Sequence, residues 1–125
     1  MIFVTADSCR SQLERLTKLL VSAFPGSTIY WHTDLFRVTH EVLRHKVDAV
    51  LLQAETDQTN GLDFVKMLHK QKPDLPIFII AKTEGFDKEA EDAGADGCFV
   101  LPNSEQQLLE ALRAAKTRTK QCRAD

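Results

Sequence analysis

The stretch from Val47 to Gly61, VDAVLLQAETDQTNG, constrains the fold of this chain more than any other. Its first half, Asp48-Ala49-Val50-Leu51-Leu52, is an apolar run behind an acidic residue. The run is too short for a helix and reads as a strand buried on both faces. The second half is polar and ends in Asn60-Gly61, a turn signal. In open α/β sheets the ligand crevice lies beyond the carboxyl ends of the strands, where a buried strand opens into such a loop. The residue at this strand end is Gln53. An amide does not ionise, is a poor metal ligand and is no nucleophile, so the group on which acid–base, metal or covalent chemistry would be built is absent there.

The same alternation runs through the rest of the chain. Ile2-Phe3-Val4-Thr5 is a short β-type run, and Asp7 lies just past it. Leu13, Leu16, Leu19 and Leu20 recur at helical spacing until Pro25-Gly26 stops the helix. Thr28-Ile29-Tyr30-Trp31 predicts a second strand. Thr33 or Asp34 can cap a helix carrying Leu35, Val38, Val42 and Leu43. Gly61 opens a third helix with Leu62, Val65, Met67 and Leu68, and Ile77-Phe78-Ile79-Ile80 predicts a fourth strand. Glu84 to Ala93 is polar, with a weak helical pattern around Phe86 and Ala90. Cys98-Phe99-Val100-Leu101 predicts a fifth strand, ended by Pro102. Ser104-Glu105-Gln106-Gln107 has the pattern of a capping box and opens a last helix through Leu108, Leu109 and Leu112. Residues 1–115 are therefore read as one domain. The polar, mostly basic residues 116–125 are read as a frayed helix end or the start of a linker. Strands alternating with helices, four of the strands apolar enough for cover on both faces, predict a doubly wound parallel sheet with helices on both sides.

Composition narrows the function classes. A net charge of -2 gives no electrostatic case for nucleic acid or an anionic membrane as the main partner. No apolar run approaches the length of a membrane span, and MIFVTADSCR lacks the basic and apolar regions of a signal peptide, so a cytoplasmic location is expected. Cys9, Cys98 and Cys122 have no ligand-like spacing and are read as reduced thiols. His32, His40, His45 and His69 do not cluster in sequence and are read as surface histidines, so no metal site and no cofactor are expected. Cys9 and Arg15 stand at C-x5-R spacing, but no glycine lies between them to let backbone N–H groups converge on a phosphate.

Three pieces of the chain carry a family resemblance. Asp48-Ala49-Val50-Leu51-Leu52-Gln53, with Gly61 eight residues beyond, is similar to the D-x-V-L-L-D strand of receiver domains of bacterial two-component response regulators. Pro73-Asp74-Leu75-Pro76-Ile77-Phe78-Ile79-Ile80-Ala81 resembles the same family's P-x-I-P-V-I-x-L-T. Ala93-Gly94-Ala95-Asp96-Gly97-Cys98-Phe99-Val100-Leu101-Pro102 resembles its A-G-A-D-x-Y-L-x-K-P. The resemblance covers nearly the whole chain. It implies a flavodoxin-like fold with five parallel strands in the order 2-1-3-4-5.

The active positions of the family do not carry over intact. The phosphoacceptor Asp falls on Gln53, the switch Thr or Ser on Ala81, the Lys on Leu101 and the switch aromatic on Cys98. The acidic pair after the first strand reduces to Asp7. Phosphoryl transfer needs a carboxylate acceptor, a metal held by carboxylates and donors for the phosphoryl oxygens. The joint losses imply a degenerate, or pseudo-, receiver that is not an enzyme. Asp7 with Glu55 is a candidate cation pair, and Asp57 a candidate displaced acceptor; a solvated acidic loop is the plainer reading of both. Two alternatives stay open: an atypical receiver still phosphorylated or binding a divalent cation, and a small-molecule or redox sensor in the remodelled pocket, through Cys98. The stretch between Ala81 and Cys98 is shorter than is usual in the family, which implies a short fourth helix. The resemblance also implies a partner surface on the fourth helix, fifth strand and fifth helix, with Phe86, Phe99, Gln106, Glu110 and Arg113 as its candidates. The expected partner is a signalling or output domain, and a homodimer through that face is an implied assembly.

Overall fold

The computed structural model describes residues 2–7, 9–33, 36–53, 61–81, 85, 87–101 and 104–124, with the backbone alone for 36, 61, 87 and 116–124. The chain alternates without exception: β1 (Ile2–Ala6), α1 (Arg10–Ala23), β2 (Thr28–His32), α2 (Phe36–Arg44), β3 (Ala49–Gln53), α3 (Gly61–Gln71), β4 (Ile77–Ala81), α4 (Asp87–Ala93), β5 (Gly97–Val100) and α5 (Glu105–Ala124). All strand pairs are parallel, in the order β2-β1-β3-β4-β5. This is the doubly wound sheet and strand order that the sequence implies.

Every residue of β3 and of β4 is buried. Side chains alternate across a strand, so a strand covered on both faces must be apolar at both parities. Val50, Leu52, Ile77 and Ile79 enter one layer with Val38 and Val42 of α2, Phe64, Val65 and Leu68 of α3, and Ala90 and Ala93 of α4. Ala49, Leu51, Phe78 and Ile80 enter the other with Leu16 and Leu20 of α1 and Leu108, Leu112 and Ala115 of α5. Full burial of one such side chain contributes about 1.5–3 kcal/mol.

Two aspartates fix strand register at the amino ends. The Asp48 carboxylate accepts the Ile2 N–H at 2.7 Å while its own N–H donates to the Ile2 carbonyl at 2.8 Å. Asp96 repeats the arrangement on Ile77, at 2.9 and 2.7 Å. Each pair closes a two-point clamp across neighbouring strands.

Several sequence expectations need correction. The fifth strand is half-buried throughout, because it forms a sheet edge, so three strands rather than four are extensively buried. Met67 and Leu43, expected in the core, are 41% and 67% exposed. Phe64 takes the core position on α3 instead. The helical backbone of α5 continues to Ala124.

The fourth helix is short, seven residues, and is closed by Gly94 at φ +101°. A Cβ at Gly94 would come within 2.6 Å of the His69 ring on α3, so both the turn and the docking of α4 on α3 require glycine. Thr5 presents a different kind of strain: its side chain is fully buried, yet its hydroxyl has no hydrogen-bond partner among the described residues.

Two expectations follow for chemical denaturation. Gly94→Ala should lower stability by about 1–3 kcal/mol, from the left-handed backbone and the His69 clash together. Thr5→Val should hold stability or raise it by about 1 kcal/mol, since it deletes an unpartnered buried hydroxyl; a loss of that size would show that the hydroxyl is satisfied.

Candidate functional site

The carboxyl ends of four adjacent strands meet at one edge of the sheet. Register places Ala6 beside Leu52, Gln53 beside Ile80, and Ala81 beside Val100. Asp7, Gln53, Ala81 and Leu101 therefore lie along this one edge.

Their chemistry is uneven. Asp7 and Gln53 are each only 7% exposed. One Asp7 carboxylate oxygen accepts the Cys9 N–H at 2.8 Å, a local turn that leads into α1, and the Asp7 N–H donates to the His32 carbonyl at 3.2 Å. Ala81 is buried in the α2–α3–α4 layer, and its carbonyl accepts the Leu101 N–H at 3.4 Å. Leu101 packs against the opposite, α1–α5 layer. Cys98 lies beside Ile79, half-buried and outside any disulfide. The described side chains of this edge thus supply one carboxylate, one amide, a methyl group and an isobutyl group.

A divalent cation of the magnesium type wants near-octahedral oxygen ligation with more than one carboxylate. The described donor set does not fit that requirement, because Asp7 is the one carboxylate described at this edge and one of its oxygens accepts the Cys9 N–H. Among the described residues no group of three or more His, Cys, Asp or Glu side chains is placed to hold a metal ion. Glu55 and Asp57 lie outside the described residues, as does Phe86 of the expected partner surface.

The other surface candidates separate. Gln106 and Glu110 are exposed on α5. Phe99 turns inward against the α1–α5 layer, its ring 6.0 Å from that of Phe78. The Arg113 guanidinium stands 5.7 Å from the Phe24 ring, toward the end of α1.

One cluster was not legible in the sequence. Glu41 of α2 places its carboxylate oxygens 3.3 Å from Nε2 of His32 and 3.3 Å from Nε2 of His45. The His32 nitrogen is within ion-pair range but off the hydrogen-bond axis. The His45 ring stacks on Tyr30 with centroids 4.5 Å apart. These two histidines are half-buried rather than surface residues. The i,i+4 spacing of Glu41 and His45 was visible; His32 enters only through the fold.

The sequence model of the response regulator receiver domain matches residues 3–113. The response regulator MprA of Mycobacterium leprae is 28% identical over 122 residues, which cover 96% of this chain and 53% of that protein. The response regulator ArlR of Staphylococcus aureus is 33% identical over 82 residues, 65% of this chain and 37% of that protein. The chain spans about half the length of the MprA relatives it matches. Among solved structures, the signal receiver domain of an HD domain-containing protein from Pseudomonas fluorescens Pf-5 superposes with a TM-score of 0.84 at 24% identity, covering 96% of this chain and 97% of that one. A receiver domain protein from Clostridium thermocellum gives 0.83 at 19% identity, covering 97% and 98%. Together with the strand order and the edge at which Asp7, Gln53, Ala81 and Leu101 meet, the match over residues 3–113 places this chain in the response regulator receiver domain family, the signalling modules of two-component systems.

Proposed function

We propose that this receiver domain signals without accepting a phosphoryl group, as a pseudo-receiver acting in the cytoplasm through protein–protein contacts. The observation that carries the reading is Gln53, a buried amide at the family's acceptor position, flanked at the neighbouring strand ends by Ala81 and Leu101. An amide is no acceptor for an acyl phosphate, a methyl group cannot bind a phosphoryl oxygen, and leucine offers no cation to offset phosphate charge. Each loss alone would weaken a site. Together they remove the acceptor, the hydroxyl and the positive charge.

Without a switch hydroxyl on β4, and with Cys98 in place of an aromatic side chain on β5, no described side chain at this edge couples phosphate to the α4–β5–α5 face. That face then holds one arrangement, or is set by a protein that binds it differently in two states. Gln106, Glu110 and Arg113 are exposed polar candidates for it on α5. The partner class is a signalling or output domain.

In amide NMR spectra, addition of Mg²⁺ with beryllofluoride, a phosphoryl mimic, should leave Gln53, Ala81 and Leu101 unshifted. Saturable shifts at those residues would overturn the proposal. Conversely, Gln53→Asp alone should remain unlabelled by a small-molecule phosphodonor, because hydroxyl and cation are still absent. The triple variant Gln53→Asp, Ala81→Thr, Leu101→Lys should gain Mg²⁺-dependent labelling that is stable to neutral pH and labile to hydroxylamine. Labelling of the unaltered chain would contradict the reading directly.

A further inference from the structure

β2 is a sheet edge, paired only with β1, so the N–H and C=O groups of its outer side take no part in the sheet. Trp31 on this strand is 38% exposed, and the Arg10 guanidinium at the start of α1 lies 5.5 Å from its ring centroid. On the other face of the strand, Glu41 of α2 reaches His32 at 3.3 Å, which fixes the side of α2 that looks toward the edge. Arg37 and Arg44 stand four residues before and three after Glu41 and so neighbour it on the helix surface; both are exposed. The only described carboxylate in this neighbourhood of α2, Glu41, is occupied by two histidines. Among the described residues, Arg10, Arg37 and Arg44 have no carboxylate partner.

An open strand edge bracketed by three arginines without a described carboxylate partner and by an exposed tryptophan has a defined complement. We propose that the β2 edge is a docking site for an extended, acidic segment of a protein partner, which adds as a strand beside Thr28–His32. Backbone groups of β2 would pair with the segment, carboxylates on alternate residues would face Arg37 and Arg44 on the α2 side, and the apolar residues between them would lie on Trp31 on the α1 side. The net charge of the whole chain, -2, argues for a local acidic peptide over a nucleic acid, whose binding draws on a broad positive field. This surface stands on the sheet edge and its charges, independent of the phosphoacceptor edge.

The test uses the 125-residue chain and an alternating Glu-Val octapeptide, with an alternating Lys-Val octapeptide and polyuridylate as comparisons. The expected result is saturable amide shifts along Thr28–His32 and at the Trp31 indole with the acidic peptide alone. Arg37→Glu with Arg44→Glu should weaken binding about tenfold while leaving the dispersion of the spectrum intact. Arg37→Glu alone and Arg44→Glu alone are separate reversals should the pair disturb α2. No saturable shift up to about 1 mM peptide overturns the proposal, as does binding indifferent to the charge reversals. Preference for polyuridylate overturns the choice of partner.

Discussion

The burial of β3 and β4 on both faces is the constraint from which the rest of the structure follows. Neither strand has a face on which a polar side chain could reach water. Cover must come from helices on both sides, and parallel pairing supplies them, because each crossover lays a helix across the sheet. The two helix layers, α2–α3–α4 and α1–α5, are the two halves of that cover. The short α4 is admitted because Ala90 and Ala93 need little space, and Gly94 lets the chain turn against His69.

The sheet is held from the end opposite the candidate site. Asp48 and Asp96 each grip the first residue of a neighbouring strand through both a carboxylate and a backbone N–H. A one-residue slip would break both bonds and turn every core side chain to the wrong layer. Asp7 shapes the turn into α1, and Ala81 and Leu101 simply fill the layers beside them.

The fold was readable because its signals are local. Apolar runs of strand length, turn residues and helical leucine spacing set nearly every element boundary within a few residues. What local pattern could not decide was the orientation of ambiguous flanks. Met67 and Leu43 fit a helical stripe as well as Phe64 does, and only the packing of α3 against the sheet puts Phe64 inside. The edge character of β5 likewise depends on strand order, which spacing does not contain. At the candidate site, the identities at the strand ends were legible through the family resemblance. The Glu41 bridge between His32 and His45 was not, since its parts come from β2 and both ends of a helical turn, joined only once the sheet forms.

The single carboxylate described at the strand ends has a thermodynamic consequence. A receiver that gathers several acidic groups into one desolvated cleft pushes like charges together and depends on a bound cation to neutralise them. Here Asp7 is the only buried carboxylate among the described residues. Sites of chemistry are ordinarily places where a protein forgoes stability for activity. On the proposed reading, a receiver without that chemistry keeps the difference as margin. Such margin lets exposed surfaces vary through substitutions that would unfold a more strained relative, and surface variation is the raw material of new partner recognition.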